Sequence, residues 1–427
     1  MSNRWYRRVV CGLFLAWILP AGVSFAQSEP KEAAPAAAQA EARMDPAVAR
    51  ELMQRWKQII LRESRTRWCD TATGEAIADV VGAPFLSGFY YGYMATGDRE
   101  WVDRLTDWAD AVVKRGVKEP DGYIGWPRDE NGDVLEYLPN GLRRRYTDTE
   151  ISDAWLLRPM VLMAGEILKT PALKKDYGAK AEEYIKLSEQ MFEKWNARGA
   201  WRDTEVGGVW VIPPFGIDHQ TGKWTEGYEQ RNSDCITMPD NKENSVTLWI
   251  LAMYEVTHKP IYRERAEKWM RVQKSRMKLR ENGKYCVWNY WDPAGPWDHK
   301  PDGSLKHWVG VHPNGRYYRL DTDAIVAAYE DGLVFTKEDI ARLIATNRDF
   351  MWNQQLKDPQ FGRIDGEKPA SNVPGGLLWT ALAPHDPTLR KIFEVEVNKN
   401  PASWEGLGFV AAPAWVARFG RTAEAGR

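Results

Sequence analysis

The chain has 427 residues, 44% of them hydrophobic, and a formal net charge of -1. That amount of apolar sequence is enough for one large core or two smaller ones. The near-neutral charge argues against a nucleic-acid or acidic-membrane binder, because such proteins usually carry a basic excess.

Residues 1–26 are typical of a secretory signal peptide. Three arginines precede an apolar run that ends at Ala21, and small residues follow just before Gln27. Residues 27–42 are mostly Ala, Glu, Pro and Gln, which predicts a flexible leader. We therefore expect an exported protein, periplasmic or secreted, with no membrane contact once the signal is cleaved.

Of the four cysteines, one leaves with the signal. The other three allow at most one disulfide in an oxidising compartment, and Cys235 with Cys286 is the suggested pair.

Apolar residues recur at spacings of three and four along the mature chain, which predicts an all-α protein. The predicted helices occur in pairs joined by short turns, such as Tyr93–Trp101 and Tyr254–Tyr262. The first helix of each pair is apolar and the second carries charge on one face. The predicted ranges are about 45–62, 76–96, 99–116, 151–169, 174–196, 245–257, 260–280, 323–331, 336–353, 374–383, 386–397 and 405–419.

Helical hairpins of this kind must close on one another to bury both faces. We therefore expect residues 43–427 to form a single (α/α)6-type toroid. Three long segments, at 117–150, 198–244 and 281–322, each follow a charged helix and lead into an apolar one. In a toroid they would gather at one rim, beside the N-terminal ends of the inner helices, where a functional cleft is expected.

Polar residues are crowded at several of these helix starts. Ser, Thr, Asp and Asn are ordinary helix caps, so most such residues are structural. Two starts carry more polar residues than a cap requires: Pro239–Ser245, with Asp240, Asn241, Glu243 and Asn244, and the stretch from Arg316 to Asp323.

The hairpin series, the loop from Val287 to Asp292 and the sequence from Leu320 to Phe335 resemble the toroid polysaccharide lyases related to alginate and glucuronan lyases. This resemblance implies β-elimination on a uronate chain, with Asn or Arg near the carboxylate and a Tyr, often with a His, for proton transfer. The alginate-lyase signature His-Ser-Tyr-Trp is absent, and Asn289-Tyr-Trp291 is its partial counterpart.

Elimination requires the uronate carboxylate to be neutralised as the proton at C5 is removed. Asn241, Asn244 and Arg316 are the candidates for this role. Tyr317 is the first candidate for the base because neighbouring cations favour phenolate, and Tyr290 is the second. His312 is an alternative base, and the predicted catalytic set is therefore Tyr317, Asn241, Asn244, His312, Tyr290 and Arg316. The predicted substrate-binding set is Trp126, Trp288, Trp291, His307, Trp308, Arg319 and Glu243.

Two other interpretations remain open. The same toroid hosts glycoside hydrolases that use paired carboxylates, and the chain offers Asp148, Glu150, Asp153, Asp240, Glu243, Asp321 and Asp323. A noncatalytic binder of exported polysaccharide is the third possibility. Under each interpretation the expected partner is a polysaccharide, anionic in the lyase case.

No cofactor or metal is expected from the motifs. The turn Asp129–Asp133 lacks the later residues of a calcium loop, and no His or Cys pair has zinc spacing.

Overall fold

The computed structural model describes residues 44–70, 77–118, 121–126, 136–137, 143–145, 150–212, 216–218, 224–225, 236–367, 379–399 and 410–420. The predicted signal peptide, leader and Asp129–Asp133 turn, as well as Asp148, lie outside these residues. Among the described residues, no helix combines the length and hydropathy needed to cross a bilayer.

Twelve α-helices account for most of the described chain. They are α1 (Pro46–Ile60), α2 (Arg65–Trp68), α3 (Ser87–Thr96), α4 (Arg99–Val113), α5 (Glu150–Lys169), α6 (Pro171–Ala197), α7 (Asp240–Thr257), α8 (Pro260–Arg276), α9 (Arg316–Glu330), α10 (Lys337–Ala345), α11 (Pro387–Lys399) and α12 (Ala411–Phe419). Two π-helical segments, Ile77–Leu86 and Thr346–Met351, precede α3 and follow α10, and a 3-10 helix spans Thr380–His385.

Antiparallel hairpins occupy parts of the long segments, where no strands are predicted. The strands are β1 (Val117–Lys118), β2 (Ile124–Gly125), β3 (Glu136–Tyr137), β4 (Arg143–Arg145), β5 (Trp201–Asp203), β6 (Gly208–Trp210), β7 (Gly216–Asp218), β8 (Trp224–Thr225), β9 (Lys278–Arg280) and β10 (Tyr285–Val287). β1 pairs with β2, β5 with β6 and β9 with β10, and β3, β4, β7 and β8 form a four-stranded sheet in that order.

The helices pack as pairs around a ring. α3 packs on α4, α5 on α6, α7 on α8 and α9 on α10, the 3-10 helix packs on α11, and α12 packs on α1. Within the inner layer, α5 contacts α7, α7 contacts α9, α9 contacts the 3-10 helix, and α12 contacts α3. Six inner and six outer elements therefore form the toroid, and the predicted (α/α)6 fold is confirmed.

Local sequence explains the turns between paired helices. Gly97 ends α3 with φ 76°, and His258 ends α7 with φ 56°, so both helices stop at a left-handed residue. Pro171 and Pro260 open α6 and α8, where a missing N–H costs no hydrogen bond. Gly82 lies in the π-helical segment Ile77–Leu86, at the point where this segment approaches α5. A Cβ at this position would lie 2.7 Å from the carbonyl oxygen of Trp155, so the close approach requires glycine.

The core between the two layers is rich in tryptophan. Nine of the described tryptophans have side chains less than 2% exposed. These residues account for much of the unusual tryptophan content as packing, because a buried indole contributes a large apolar area to the core.

Two inner helices begin earlier than predicted. α7 begins at Asp240 rather than near residue 245, and α9 begins at Arg316 rather than at 323. Their first turns bury polar and aromatic side chains, so the apolar periodicity used for prediction does not extend to the true helix start. The polar residues expected in loops at these positions are therefore helical.

Candidate active site

The first turns of α5, α7 and α9 meet at one rim of the ring. Burial raises the pKa of Glu243, on α7, and the nearby carboxylate of Glu150 on α5 adds to that shift. The side chain of Asn244, on α7, donates a hydrogen bond of 2.8 Å to Asp321 on α9. The three inner helices therefore begin together, as the arrangement of the long segments predicts.

Asp240 is a fully buried carboxylate held by one arginine. Its Oδ1 accepts a hydrogen bond from Arg276 of α8, while Oδ2 has no hydrogen-bond partner among the described residues. Burial raises the pKa of Asp240 to about 6, the ion pair with Arg276 opposes that rise, and the nearby Asp292 carboxylate adds to it.

Arg276 also joins Asp240 to the loop that follows β10. Its second terminal nitrogen donates a 2.8 Å hydrogen bond to the carbonyl oxygen of Asp292. The Asp292 carboxylate is half-buried and accepts a 2.8 Å hydrogen bond from Asn289. Arg276 thus bonds the carboxylate of buried Asp240 and the backbone carbonyl of Asp292, whose own carboxylate is partly accessible.

Asn244 connects helices rather than facing a ligand. Its Nδ2 donates to Gln273 at 2.9 Å and to Asp321 at 2.8 Å, and its Oδ1 accepts from the indole of Trp269 at 2.8 Å. Because every polar atom of this fully buried amide is occupied, the predicted role of Asn244 in neutralising a substrate carboxylate does not fit the structure.

Asn241 and Glu243 lie on the same turn but differ in their contacts. Glu243 is fully buried, its Oε1 accepts from the backbone N–H of Trp210 at 2.8 Å, and its Oε2 has no hydrogen-bond partner among the described residues. Asn241 is 5% exposed, and its Oδ1 has no partner among the described residues. Of the two predicted asparagines, Asn241 is the one with a free polar atom.

A cluster of five rings, which we call the ring cluster, lies beside Asp240. It consists of Tyr290, His307, Trp308, His312 and Tyr317. The Tyr290 ring stacks on Trp308 with centroids 5.7 Å apart and on Tyr317 at 5.4 Å, and it lies 4.7 Å from His312. The Asp240 amide donates to the Tyr290 carbonyl at 3.0 Å, so the cluster and the buried carboxylate share one backbone contact.

The protonation of this cluster does not suit the predicted bases. Burial, with neighbouring Tyr317, Asp321 and Asp240, raises the pKa of Tyr290, which is opposite to what a phenolate base needs. Burial and nearby Arg363 lower the pKa of His312. Its Nδ1 accepts from the Asn314 amide at 2.9 Å, which places the proton of the neutral ring on Nε2 and makes that atom a donor.

The two arginines expected to flank Tyr317 do not act together. Arg316 is exposed, whereas Arg319 is buried and lines a cavity inside the ring. Residues separated by one or two positions on a helix do not share a face. The predicted activation of Tyr317 by both arginines is therefore not supported, although Tyr317 itself lies in the ring cluster.

Three of the predicted sugar platforms are core residues. Trp126, Trp288 and Trp291 are each at most 4% exposed, and their indole N–H groups donate to Val112, Asp321 and Thr237. A sugar cannot stack on a ring buried in this way. Trp308, in contrast, is 46% exposed and is available as a stacking surface.

The predicted pairing of Cys235 with Cys286 involves a residue that the structure does not describe. Cys286 is a buried free thiol 3.6 Å from the hydroxyl of Thr346, and Cys235 lies outside the described residues. Among the described residues, no group of three or more His, Cys, Asp or Glu side chains could hold a metal ion.

Sequence reasoning did not identify Arg276 and Asp292 as parts of the site. Arg276 is one of many basic residues on a charged outer helix, and its burial against Asp240 depends on the packing of α8 on α7. Asp292 is the last residue of the aromatic loop from Val287 to Asp292. Its position three residues after Asn289 was the sequence feature that could have indicated a role in the site.

The buried carboxylates should make stability fall as pH rises. The pKa of Asp240 goes from about 4 in the unfolded chain to about 6 in the fold, so folding takes up a proton between those values. We expect the free energy of unfolding to drop by on the order of 1–3 kcal/mol from pH 4 to pH 6 through this group. Urea titrations between pH 4 and pH 6 should show that the free energy of unfolding of Asp240→Asn depends less on pH than that of the wild-type protein.

A matched control uses the exposed carboxylate of Glu205. Glu205→Gln should leave the pH dependence of unfolding unchanged. Equal slopes for the wild-type protein and Asp240→Asn would contradict the assignment of proton uptake to Asp240.

The helix pairs form an (α/α)6 toroid. Carboxylates and aromatic side chains gather at the rim where its inner helices begin. No sequence-family profile and no curated protein sequence matches the chain. Several solved structures are similar in fold. An inactive variant of the α-1,6-mannanase GH76A of Salegentibacter sp. HEL1_6, in complex with α-1,6-mannotetrose, is 12% identical. It aligns over 88% of this chain and 98% of its own, with a TM-score of 0.45.

Two further structures have the same level of identity, 12%. A family 76 glycoside hydrolase from a bovine Bacteroides thetaiotaomicron strain aligns over 80% of this chain and 68% of its own, with a TM-score of 0.43. A mutant of Rex8A from Paenibacillus barcinonensis, complexed with an arabinofuranosyl-xylotetraose, aligns over 79% of this chain and 80% of its own, with a TM-score of 0.43.

These similar structures correct the expected activity. The family 76 structures are glycoside hydrolases, whereas the sequence resemblance implies a polysaccharide lyase. The local contacts agree with this correction, because Asn244 is fully bonded, Tyr290 is held as a phenol, and the arginines near Tyr317 are divided between solvent and the interior of the ring. The lyase interpretation, with its predicted β-elimination, is wrong.

Proposed function

We propose that this protein is an exported glycoside hydrolase that cleaves a polysaccharide at the rim of the toroid. Asp240 is the proton donor and Asp292 is the base or nucleophile. The observation that carries this proposal is the pair of acidic residues that Arg276 holds, Asp240 through its carboxylate and Asp292 through its backbone carbonyl. Asp240 is buried with a pKa raised to about 6, and Asp292 is half-buried. The ring cluster would hold the sugar.

The two environments suit the two roles that glycoside hydrolysis requires. A carboxylic acid must protonate the leaving oxygen, and a second carboxylate must activate water or attack the sugar. Burial keeps the proton on Asp240 at mildly acidic pH, and Oδ2, which has no hydrogen-bond partner among the described residues, can carry that proton for transfer to the leaving oxygen. Asp292 is partly accessible and is held by Asn289.

Access to Asp240 must change when substrate binds. Its carboxylate is fully buried without ligand, so the covering side chains must move before a glycosidic oxygen can reach Oδ2. The neighbouring loop contains four of the five ring-cluster residues, including Trp308, whose exposure makes it the first contact for a sugar ring.

Replacing Trp308 should weaken substrate binding more than catalysis. We expect Trp308→Ala to raise KM about tenfold with kcat nearly unchanged, because a stacking surface contributes about 1–2 kcal/mol to binding. Steady-state kinetics on the cleaved polysaccharide would measure both constants. As a control, Leu279→Ala removes a 55% exposed side chain on β9 and should leave KM unchanged.

The activity itself is tested with a panel of polysaccharides. The panel should include α-1,6-mannan, because the similar Salegentibacter enzyme is named an α-1,6-mannanase, together with xylan, glucuronan and alginate. We expect reducing ends to be released from at least one of them without the ultraviolet absorbance of an unsaturated product. Absence of new reducing ends from a broad panel, or their appearance only with that absorbance, would overturn the proposal.

A further inference from the structure

A separate cavity of ≈ 750 Å³ lies inside the helix ring. One of its lining residues is Ser245, four positions after Asn241 on α7, so the cavity begins about one helical turn below the rim. Tyr90, Tyr91 and Trp155 supply aromatic walls. A space of this size with aromatic walls is typical of a small-molecule site, because packing voids in protein cores are far smaller.

Three arginines and two carboxylates line this cavity, and two of these residues, Arg418 and Glu330, form an ion pair with each other. Arg158 of α5 and Arg319 and Asp323 of α9 all line it. The Nε of Arg158 is buried and has no hydrogen-bond partner among the described residues. An unpaired buried donor costs about 1–3 kcal/mol, and more when charged, so a ligand that supplied an acceptor would recover this loss.

Asp323 is a weak internal partner for this cation. Burial raises the pKa of Asp323, while the charges of Arg319 and Arg158 oppose the shift. No hydrogen bond joins the Nε of Arg158 to Asp323 within the described chain, although the two charges interact. The Nε–H of Arg158 is therefore available to an acceptor on a ligand.

We propose that this cavity binds a sugar acid, with the carboxylate of the ligand on Arg158 and the face of its ring against the aromatic walls. A guanidinium presents parallel N–H groups that match a carboxylate, and aromatic side chains pack on the apolar face of a pyranose. This binding does not depend on the proposed hydrolysis, because the ligand need not be cleaved.

Isothermal titration of the full mature chain tests the proposal. D-glucuronate should bind, D-glucose should bind at least about tenfold more weakly, and Arg158→Met should raise the Kd for glucuronate at least about tenfold. Asp323→Asn should lower that Kd, because it removes an anion that competes for Arg158. Arg271→Met removes an exposed arginine of α8 that pairs with Glu267 and should leave binding unchanged.

Four outcomes would overturn the proposal. Equal affinity for glucose and glucuronate would remove the role of the carboxylate, and equal affinity for inorganic phosphate would indicate a general anion site. Unchanged binding in a folded Arg158→Met would exclude that residue. If Arg158→Met does not unfold cooperatively and is therefore not folded, Asp323→Asn provides the test instead. Unchanged or weaker glucuronate binding by Asp323→Asn would contradict the placement of the ligand carboxylate on Arg158. Hydrolysis at the rim could fail its own test without affecting any of these results.

Discussion

Asp240→Asn is expected to lower the rate of polysaccharide hydrolysis about a thousandfold, because general acid catalysis contributes roughly 10²–10⁴ to the rate. The loss should depend on the leaving group. An aryl glycoside with an acidic phenol needs little protonation, so Asp240→Asn should retain most of its activity on that substrate. Asp292→Asn should lose activity on both substrates, because a base or nucleophile is needed whatever the leaving group.

The pH profile offers a second measurement of the same assignment. An acid with a pKa of about 6 is protonated below that value and loses its proton above it, so kcat should fall as pH rises through about 6. A folded Asp240→Asn with wild-type activity on polysaccharide would contradict the role of Asp240. Equal losses on polysaccharide and aryl glycoside would indicate that Asp240 acts in some way other than as the acid.

The fold could be predicted because its main signals are local. The spacing of apolar residues in α5 and the Thr-Pro and Lys-Pro turns before α6 and α8 reflect rules that operate within a few residues. The pairing of apolar with charged helices then favours a ring. Helix starts were less predictable, since the first turns of α7 and α9 are buried by partners far away in sequence.

The site could be located from the sequence but its roles could not be assigned. Crowded polar residues at Asp240–Asn244 and at Arg316–Asp323 indicated the rim where the inner helices begin. Their separate functions depend on which face of the helix each side chain occupies. Asn244 faces Gln273 and Asp321, Arg319 faces the central cavity, and Arg276 reaches Asp240 from another helix. The spacing of residues in sequence does not contain these contacts.

Tryptophan illustrates the same limit. The high content of the chain is compatible with both a large core and a sugar-binding surface. Trp288 and Trp291, in the aromatic loop from Val287 to Asp292, are buried, whereas Trp308 is exposed. An indole in the core and an indole on the surface have the same local sequence signal, because the difference is set by the packing of the loop between β10 and α9.

The ion pair between Arg276 and Asp240 should have the largest effect on stability. Arg276→Met leaves a buried carboxylate without its cation, which is expected to cost about 3–5 kcal/mol in the free energy of unfolding. Asp240→Asn leaves the cation unpaired and is also expected to destabilise the fold. In the double variant neither charge is stranded, so its loss should be smaller than the sum of the single losses by about 2 kcal/mol or more.

Urea denaturation of the four proteins at pH 7 measures this coupling. The exposed pair Lys268 and Asp203, with nitrogen and oxygen 3.0 Å apart, is the matched control and should show a coupling below about 1 kcal/mol. If the effects of Arg276→Met and Asp240→Asn simply add, the two charges do not stabilise each other. Arg276 would then serve chiefly to hold the Asp292 carbonyl.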